Sequence, residues 1–452
     1  MSQVKLFSSS GGARVAKRSG RQKKQKVKKP LKTLAIWLLV ILCLEGLYFF
    51  CIYTNNSFVK KWRTIYINTA MDTMRHQWLA TYFIPKDVID EVRYEYGLVK
   101  AGTVGKESTW GRTDPVPADQ TPSTSYDSIV TLDPNVTHET DQPDAEELTQ
   151  EELEKQAEEN FYSVFWELDR TSMETYLAEH PDTLANGWEH IYINEAGFDD
   201  EGTSIQSTFG EQVLAIDAYN GVLLLRISGK GYRGVLAVGK NPSRLSIEMA
   251  TTLGTAGQLS GTIAEAHNGV LAMNANGFLD PNGAGNGGLL AGYTMSNGKA
   301  YGDHFSAYAY KRIELHEDDL FYIKDALSPV SEDCTDAAEF TPALIVDGKK
   351  IMDDYWTGEQ PRACIGQSEK YEILMLVIEG RYPLEGILGT SVNNCSEILL
   401  QHKCMQAINL DGGSSAMLWF DGEYVTQSSS SPLRYTGGRP LPNAWVYKKA
   451  ES

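Results

Sequence analysis

The chain has 452 residues, which is too long for one ordinary domain, and its 59 acidic and 41 basic residues give a net charge of −18. The first 32 residues carry eleven Lys or Arg and no acid, so the rest carries −29. An acidic surface repels phosphate backbones, which argues against nucleic acid as a partner of the large C-terminal part. The six cysteines are too few to indicate a disulfide framework, and no pair has zinc-site spacing.

A nearly unbroken apolar run, residues 33–53, follows the basic tail of residues 1–32 and contains one acid, Glu45. Its length matches the roughly 20 residues that cross a bilayer as a helix. Because basic residues favour the cytoplasmic side, we expect the tail inside the cell and the rest outside. A cleaved signal peptide is the competing interpretation, but its apolar core is shorter, about 7–15 residues. The sequence therefore predicts an uncleaved, single-pass anchor in the cell membrane.

Residues 54–160 are predicted to form a membrane-proximal segment and an acidic linker. Apolar residues between 67 and 78 have helical spacing, which fits either a membrane-proximal helix or a core helix of the next domain. Residues 102–145 are rich in Thr, Ser, Pro and Asp and indicate a linker without a core of its own. An acidic run then extends to Asn160, as is typical of a solvated helix face or a spacer.

Residues 161–452 are predicted to form one extracytoplasmic domain. Helical spacing is seen at 161–180, at about 250–267 and at 388–404. Short apolar runs with Gly, Asn or Asp near their ends predict strands, and Asp347-Gly348 and Asp421-Gly422 predict hairpin turns. Strands mixed with a few helices predict an α+β fold. The strand-like runs are 222–227, 234–238, 269–274, 344–346, 373–378 and 407–410.

The most informative stretch begins with the apolar run 407–410, which ends abruptly in Asp411 and two glycines. Ser414 and Ser415 follow directly, so a carboxylate and two hydroxyls crowd one place. Glycines lack side-chain bulk and let a ligand approach the backbone amides. The pattern favours a site for an oxygen-rich ligand such as a sugar or phosphate. An ordinary tight loop between core strands is the alternative.

Two further places carry polar residues at predicted strand ends. Asn274 and Asn276 come at the end of the run 269–274, with Asp280 beyond them. Arg362 and Arg381 flank another strand, and arginines in such positions can grip an anion bidentately. Taken alone, either arginine is more typical of a surface residue or a salt-bridge partner.

Together these motifs identify a family, because residues 231–447 resemble the phosphodiester glycosidases. The departures are Ser414, where the family often has a third glycine, and Leu279, where it usually has a second aromatic. The anchor and linker resemble the membrane-tethered members of bacteria. The matching pieces are Asn274-Ala-Asn-Gly-Phe278 with Asp280, Pro361-Arg-Ala-Cys-Ile-Gly366, Glu379-Gly-Arg381 and Asn409-Leu-Asp-Gly-Gly-Ser-Ser415.

The resemblance implies hydrolysis of a sugar-1-phosphodiester, in a cell-surface or exopolysaccharide phosphoglycan. It implies catalytic roles for Asp411, Glu379 and Arg362. No cofactor is required by the sequence, and Ca²⁺ or Mg²⁺ is left open. The alternatives are a non-catalytic phosphoglycan-binding module and a structural envelope protein. The residues expected to bind substrate are Asn274, Asn276, Asp280, Arg381, Asn409, Gly412, Gly413, Ser414 and Ser415.

Overall fold

The structure, a computed structural model, describes residues 29–72, 77–110, 149–198, 202–281, 285–305, 310–351, 358–430 and 434–451. It divides into two compact units, Met1–Lys60 and Lys61–Ser452. Most of the predicted basic tail and of the predicted linker lies outside the described residues. The predicted domain boundaries stay predictions.

Eight α-helices lie in the described residues. The first contains Thr33–Tyr53, which is long and apolar enough to cross a membrane; by length and composition alone, a signal sequence would pass the same test. The helices are α1 Lys29–Tyr53, α2 Ser57–Met71, α3 Trp78–Thr81, α4 Lys86–Ala101, α5 Gln150–Val164, α6 Arg170–Glu179, α7 Ser260–Ala266 and α8 Val392–Gln401.

The strands all belong to the larger unit and pair in antiparallel fashion. They are β1 Tyr192–Asn194, β2 Gln212–Asp217, β3 Val222–Gly229, β4 Tyr232–Gly239, β5 Leu245–Met249, β6 Gly269–Asn274, β7 Phe278–Leu279, β8 Leu289–Leu290, β9 Thr294–Ser296, β10 Lys299–Tyr301, β11 Lys311–His316, β12 Phe321–Asp325, β13 Cys334–Phe340, β14 Ala343–Val346, β15 Lys349–Lys350, β16 Arg362–Ser368, β17 Ile373–Ile378, β18 Cys404–Asn409, β19 Leu418–Phe420, β20 Glu423–Tyr424 and β21 Asn443–Lys448.

Three sheets build the core. The largest has the order β1-β2-β3-β4-β17-β16-β18-β14-β15, and two five-stranded sheets have the orders β10-β9-β13-β11-β12 and β20-β19-β6-β21-β5. Strand β17 is apolar at every position and entirely buried, as expected of a strand covered on both faces. Helix α8 is capped at its N-terminus by Ser391, whose side chain accepts a hydrogen bond from Asn394 N, and it packs its apolar residues into the same core.

The predicted α+β fold class is confirmed, with 32% of the described residues helical and 30% in strands. Each predicted strand-like run coincides with an observed strand to within three residues, and the two predicted hairpin turns join β14 to β15 and β19 to β20. The helices differ more. The one predicted at 250–267 is only α7, and 161–180 divides into two helices because Asp169 caps a new start, accepting from Ser172 N.

Strands β11, β12 and β13 went unpredicted because β11 carries charged residues that look solvent-exposed. Arg312 and Glu314 are instead fully buried, and Arg312 Nε donates to Glu314 Oε1 at 2.7 Å. Charged groups tolerate burial only when paired. A local pattern of charges cannot show that its partners complete a buried network.

Residues 103–110 lie against the strand-rich domain rather than apart from it. Ser108 N donates to Ile323 O at 2.9 Å, and the buried Lys311 Nζ donates to Thr103 O at 2.7 Å. Thr109 N donates to Asp347 Oδ2 at 2.9 Å. These contacts fix the end of the N-terminal helical region to one five-stranded sheet and to the nine-stranded sheet, and the latter also carries the candidate site.

Candidate functional site

The Asp411 loop follows strand β18 directly, and its two glycines are required by close packing. A Cβ atom on Gly412 would come within 2.5 Å of Pro361 O. Gly413 has a φ of +62°, and a Cβ atom there would lie 3.1 Å from Arg381 Nη1. Side chains at these two positions would push the loop away from Arg381. The glycine pair therefore brings an arginine over the loop that carries Asp411.

Asp411 is half-buried between charged neighbours. Loss of hydration raises the pKa of Asp411, while the Ser415 hydroxyl and the positive charges of Arg439 and Arg381 act in the opposite direction. Asn274 Nδ2 donates to Asp411 O at 2.8 Å and ties the loop to the end of β6. Within the described part of the chain, no salt bridge closes on the Asp411 carboxylate.

Two arginines face this carboxylate. Arg381 is exposed to solvent, and its Nη2 donates to Gln360 Oε1 at 3.3 Å. Arg439 lies with its guanidinium carbon 4.7 Å from the centre of the Phe278 ring. Its buried Nε has no hydrogen-bond partner among the described residues. Such a donor pair suits an anion with several oxygens, because each guanidinium keeps free N–H groups.

Aromatic residues form another side of the site. A Cβ atom on Gly277 would lie 3.3 Å from Phe340 and 3.9 Å from Asp411 Cβ. The segment that follows β6 therefore packs between Phe340 and Asp411. Tyr310 stacks on Phe305 with ring centres 3.9 Å apart. Desolvation and the negative charge of Asp411 raise the pKa of Tyr310. A neutral phenol therefore lies near the carboxylate.

Arg362 and Glu379 both form hydrogen bonds with other parts of the domain. Arg362 is buried, and its Nε and Nη2 each donate at 3.0 Å, to Thr390 O and Gly358 O. Glu379 accepts from Arg233 Nε at 2.6 Å and from Gln427 N at 2.9 Å. The structure thus places Arg362 in contact with two backbone carbonyls and Glu379 in an ion pair and a backbone contact, and their predicted catalytic roles stay predictions.

Three of the predicted binding residues also lie in local contacts. Asn276 is buried, and its Nδ2 donates to Tyr293 O at 3.1 Å. Asp280 accepts from Gly285 N at 2.9 Å and closes its own loop. Asn409 Nδ2 donates to Thr341 O at 2.9 Å. By contrast, Asn274 keeps a buried Oδ1 without a hydrogen-bond partner in the described structure, next to Asp411.

The amide of Gly413 donates to Pro361 O at 3.3 Å, whereas that of Gly412 supports the Asp411 carboxylate. Ser414 is half-buried in the same loop, and Ser415 lies beside Asp411. The described residues bring together no group of three or more His, Cys, Asp or Glu suited to a metal ion. Use of Ca²⁺ or Mg²⁺ stays untested.

Sequence reasoning missed Arg439 and Tyr310. A signal for Arg439 was present, because Gly437 and Gly438 precede it and both adopt positive φ, +82° and +79°. A glycine pair beside a polar residue is the same cue that singled out Asp411. Tyr310 has no comparable cue in its neighbourhood.

Residues 267–448 match the family model of the phosphodiester glycosidases. This part of the chain is similar to a phosphodiester glycosidase domain. It includes the Asp411 loop, Arg381 and Arg439. No protein with a curated description matches the chain.

Three solved structures are similar to parts of this chain. The catalytic domain of zebrafish N-acetylglucosamine-1-phosphodiester alpha-N-acetylglucosaminidase, auto-inhibited by its pro-peptide, is 16% identical, with a TM-score of 0.43, covering 51% of this chain and 82% of its own. A hypothetical protein from Synechocystis is 16% identical, with a TM-score of 0.36 and coverages of 54% and 65%. A putative exported protein from Burkholderia pseudomallei is 13% identical, with a TM-score of 0.35 and coverages of 48% and 74%.

Proposed function

We propose that this protein hydrolyses a sugar-1-phosphodiester at the site formed by Asp411, Arg381 and Arg439. One observation carries the proposal. A half-buried carboxylate faces two arginines without being closed into a salt bridge by the described residues, in the Asp-Gly-Gly loop of a phosphodiester glycosidase domain. Charges left unpaired by the fold are available to a ligand.

The chemistry suits these groups. Cleavage breaks the bond between the anomeric carbon and the phosphate oxygen, water adds to the sugar, and a phosphate monoester leaves. Such a leaving group needs little general-acid help, so the demands are to hold the phosphate and to stabilise positive charge on the sugar. Arg381 and Arg439 hold the phosphate. Asp411 activates the water or stabilises the oxocarbenium-like state.

The substrate is proposed to be a cell-surface or exopolysaccharide phosphoglycan outside the cell. Support comes from the apolar helix Thr33–Tyr53, preceded by a basic tail that favours the cytoplasmic side. An anchored hydrolase acts on glycans within reach of the membrane that holds it.

The test is release of reducing sugar from a panel of sugar-1-phosphodiesters by the full chain in detergent. Asp411→Asn should lower turnover by about 10²–10⁴-fold, the usual contribution of a general acid or base. Glu379→Gln is the matched control, since it removes a carboxylate of another matching piece, Glu379-Gly-Arg381, that is paired with Arg233. It should keep turnover within a few-fold.

The outcomes separate the alternatives. Turnover by the wild-type chain that Asp411→Asn retains would remove Asp411 from the mechanism. Binding of phosphosugars without turnover would indicate a binding module. A folded chain that neither binds nor cleaves any member of the panel would favour a structural envelope protein.

A further inference from the structure

Five large aromatic side chains are exposed on helices α2 and α3 and the turn that follows. They form the aromatic patch, and their exposed fractions run from 43% for Tyr66 to 81% for Tyr82. Tyr66 Oη donates to Leu79 O at 2.7 Å, which joins the two helices, and the Trp78 and Tyr82 rings lie 6.4 Å apart. Exposed apolar clusters of this kind mark interaction surfaces. The members are Trp62, Tyr66, Trp78, Tyr82 and Phe83.

The opposite side of the same helices already packs against the domain. The aromatic patch is therefore not the core-facing side of these helices. Ile67 and Ala80 are fully buried. Thr69 packs directly against Gly358, where a Cβ atom would overlap its hydroxyl. Asp72 accepts from Arg93 Nη1 at 2.7 Å, which ties the end of α2 to α4. The helices therefore have one face fixed to the domain and one face turned outward.

The chemistry of the outward face indicates what covers it. Only residues 54–56 separate α2 from α1, whose apolar stretch is long enough to cross a membrane. Helix α2 carries Lys60, Lys61 and Arg63 and no acid, although the whole chain has a charge of −18. Trp and Tyr concentrate at membrane–water interfaces, and basic residues are attracted to anionic lipid headgroups.

We propose that the aromatic patch seats in the headgroup region of the membrane entered by α1. This inference rests on the proposed anchoring and deepens the proposed function. Thr69 O, on the packed side of α2, accepts from Gln360 Nε2 at 3.5 Å, and Gln360 in turn accepts from Arg381. One helix, about 10–12 Å across, thus separates the lipid-facing patch from the rim of the candidate site. The substrate is then a sugar phosphodiester presented at the bilayer surface.

The test measures contact between the patch and lipid in the full chain reconstituted in anionic nanodiscs. Trp37, in the anchor, is first replaced by Phe so that it contributes no emission. Brominated phospholipids should then still quench part of the tryptophan emission, relative to unbrominated nanodiscs. Adding Trp62→Phe and Trp78→Phe should abolish this quenching, whereas Trp188→Phe, which removes a side chain packed against the core, should leave it. Absence of quenching with Trp37→Phe alone overturns the proposal, and so does quenching that survives loss of Trp62 and Trp78.

A second arm tests what the docking does. Tyr82→Ser with Phe83→Ser, at two exposed positions, should leave turnover of a soluble phosphodiester unchanged. It should lower turnover of the same phosphodiester tethered to a lipid about tenfold. If the variant cleaves the tethered and the soluble substrate as fast as the wild type does, the link between docking and substrate is overturned. If the wild-type chain cleaves neither substrate, the proposed hydrolysis fails, while the quenching result still decides the docking.

Discussion

Two charged regions of this domain differ in how completely salt bridges within the fold pair their charges. Lys240 lies between Glu167 and Glu372, with Nζ to carboxylate distances of 2.6 and 2.8 Å, and all three side chains are almost fully buried. At Asp411 the two neighbouring arginines act electrostatically without closing a salt bridge among the described residues. A closed buried network stabilises one conformation, whereas unpaired charge at a half-open loop is left for a ligand.

The largest expected effect is on the closed network. Lys240→Met would leave two carboxylates buried without their cation, and we expect the free energy of unfolding to fall by about 3–5 kcal/mol in urea titrations. Combining it with Glu167→Gln and Glu372→Gln should restore part of that loss, because no unpaired charge remains. An unfolding free energy equal to that of the wild type would show that the network contributes nothing to stability.

The next effect separates Arg439, which the sequence did not single out, from Arg362, which it did. Arg439→Met should lower kcat/KM for a sugar-1-phosphodiester about 100-fold with little change in unfolding, since its guanidinium faces the site. Arg362→Met should instead cost about 1–3 kcal/mol of stability, because two backbone carbonyls lose their donors. Equal activity losses in both variants, each fully folded, would return Arg362 to the site as the sequence predicted.

The smallest effect concerns pH. If Asp411 acts as a base, kcat/KM rises with pH as the Asp411 carboxyl ionises. Because the pKa of Asp411 is raised, this rising limb of the pH–rate profile lies above the ordinary aspartate pKa of about 3.9. Arg439→Met removes a charge that lowers this pKa, so the limb should move to still higher pH. A pH–rate profile for the two proteins measures the difference. An unchanged limb would show that Arg439 does not act on the group that titrates.

The fold was largely predictable because its central strands carry their own signals. Strand β17 is apolar throughout, and turn pairs such as Asp347-Gly348 end the strands beside them. Strand β11 was missed because its charged residues are neutralised by partners from other elements. The sequence singled out Asp411, Asn274 and Arg381, which lie close together in the structure, while Arg439 joins them from a loop with no matched motif. Their roles stay predictions.

What the sequence determined by itself is local: the apolar helix, the apolar strands with their turns, and a glycine loop that needs two residues without side chains. Those features depend on spacing within a few residues. Only the tertiary structure decided which charged residues are paired within the fold. Arg362 and Glu379 find their partners at Thr390 and Arg233, whereas Arg439 is brought to Asp411 and Phe278. The free energy of a charge depends on its neighbours in space, and those neighbours lie far apart along the chain.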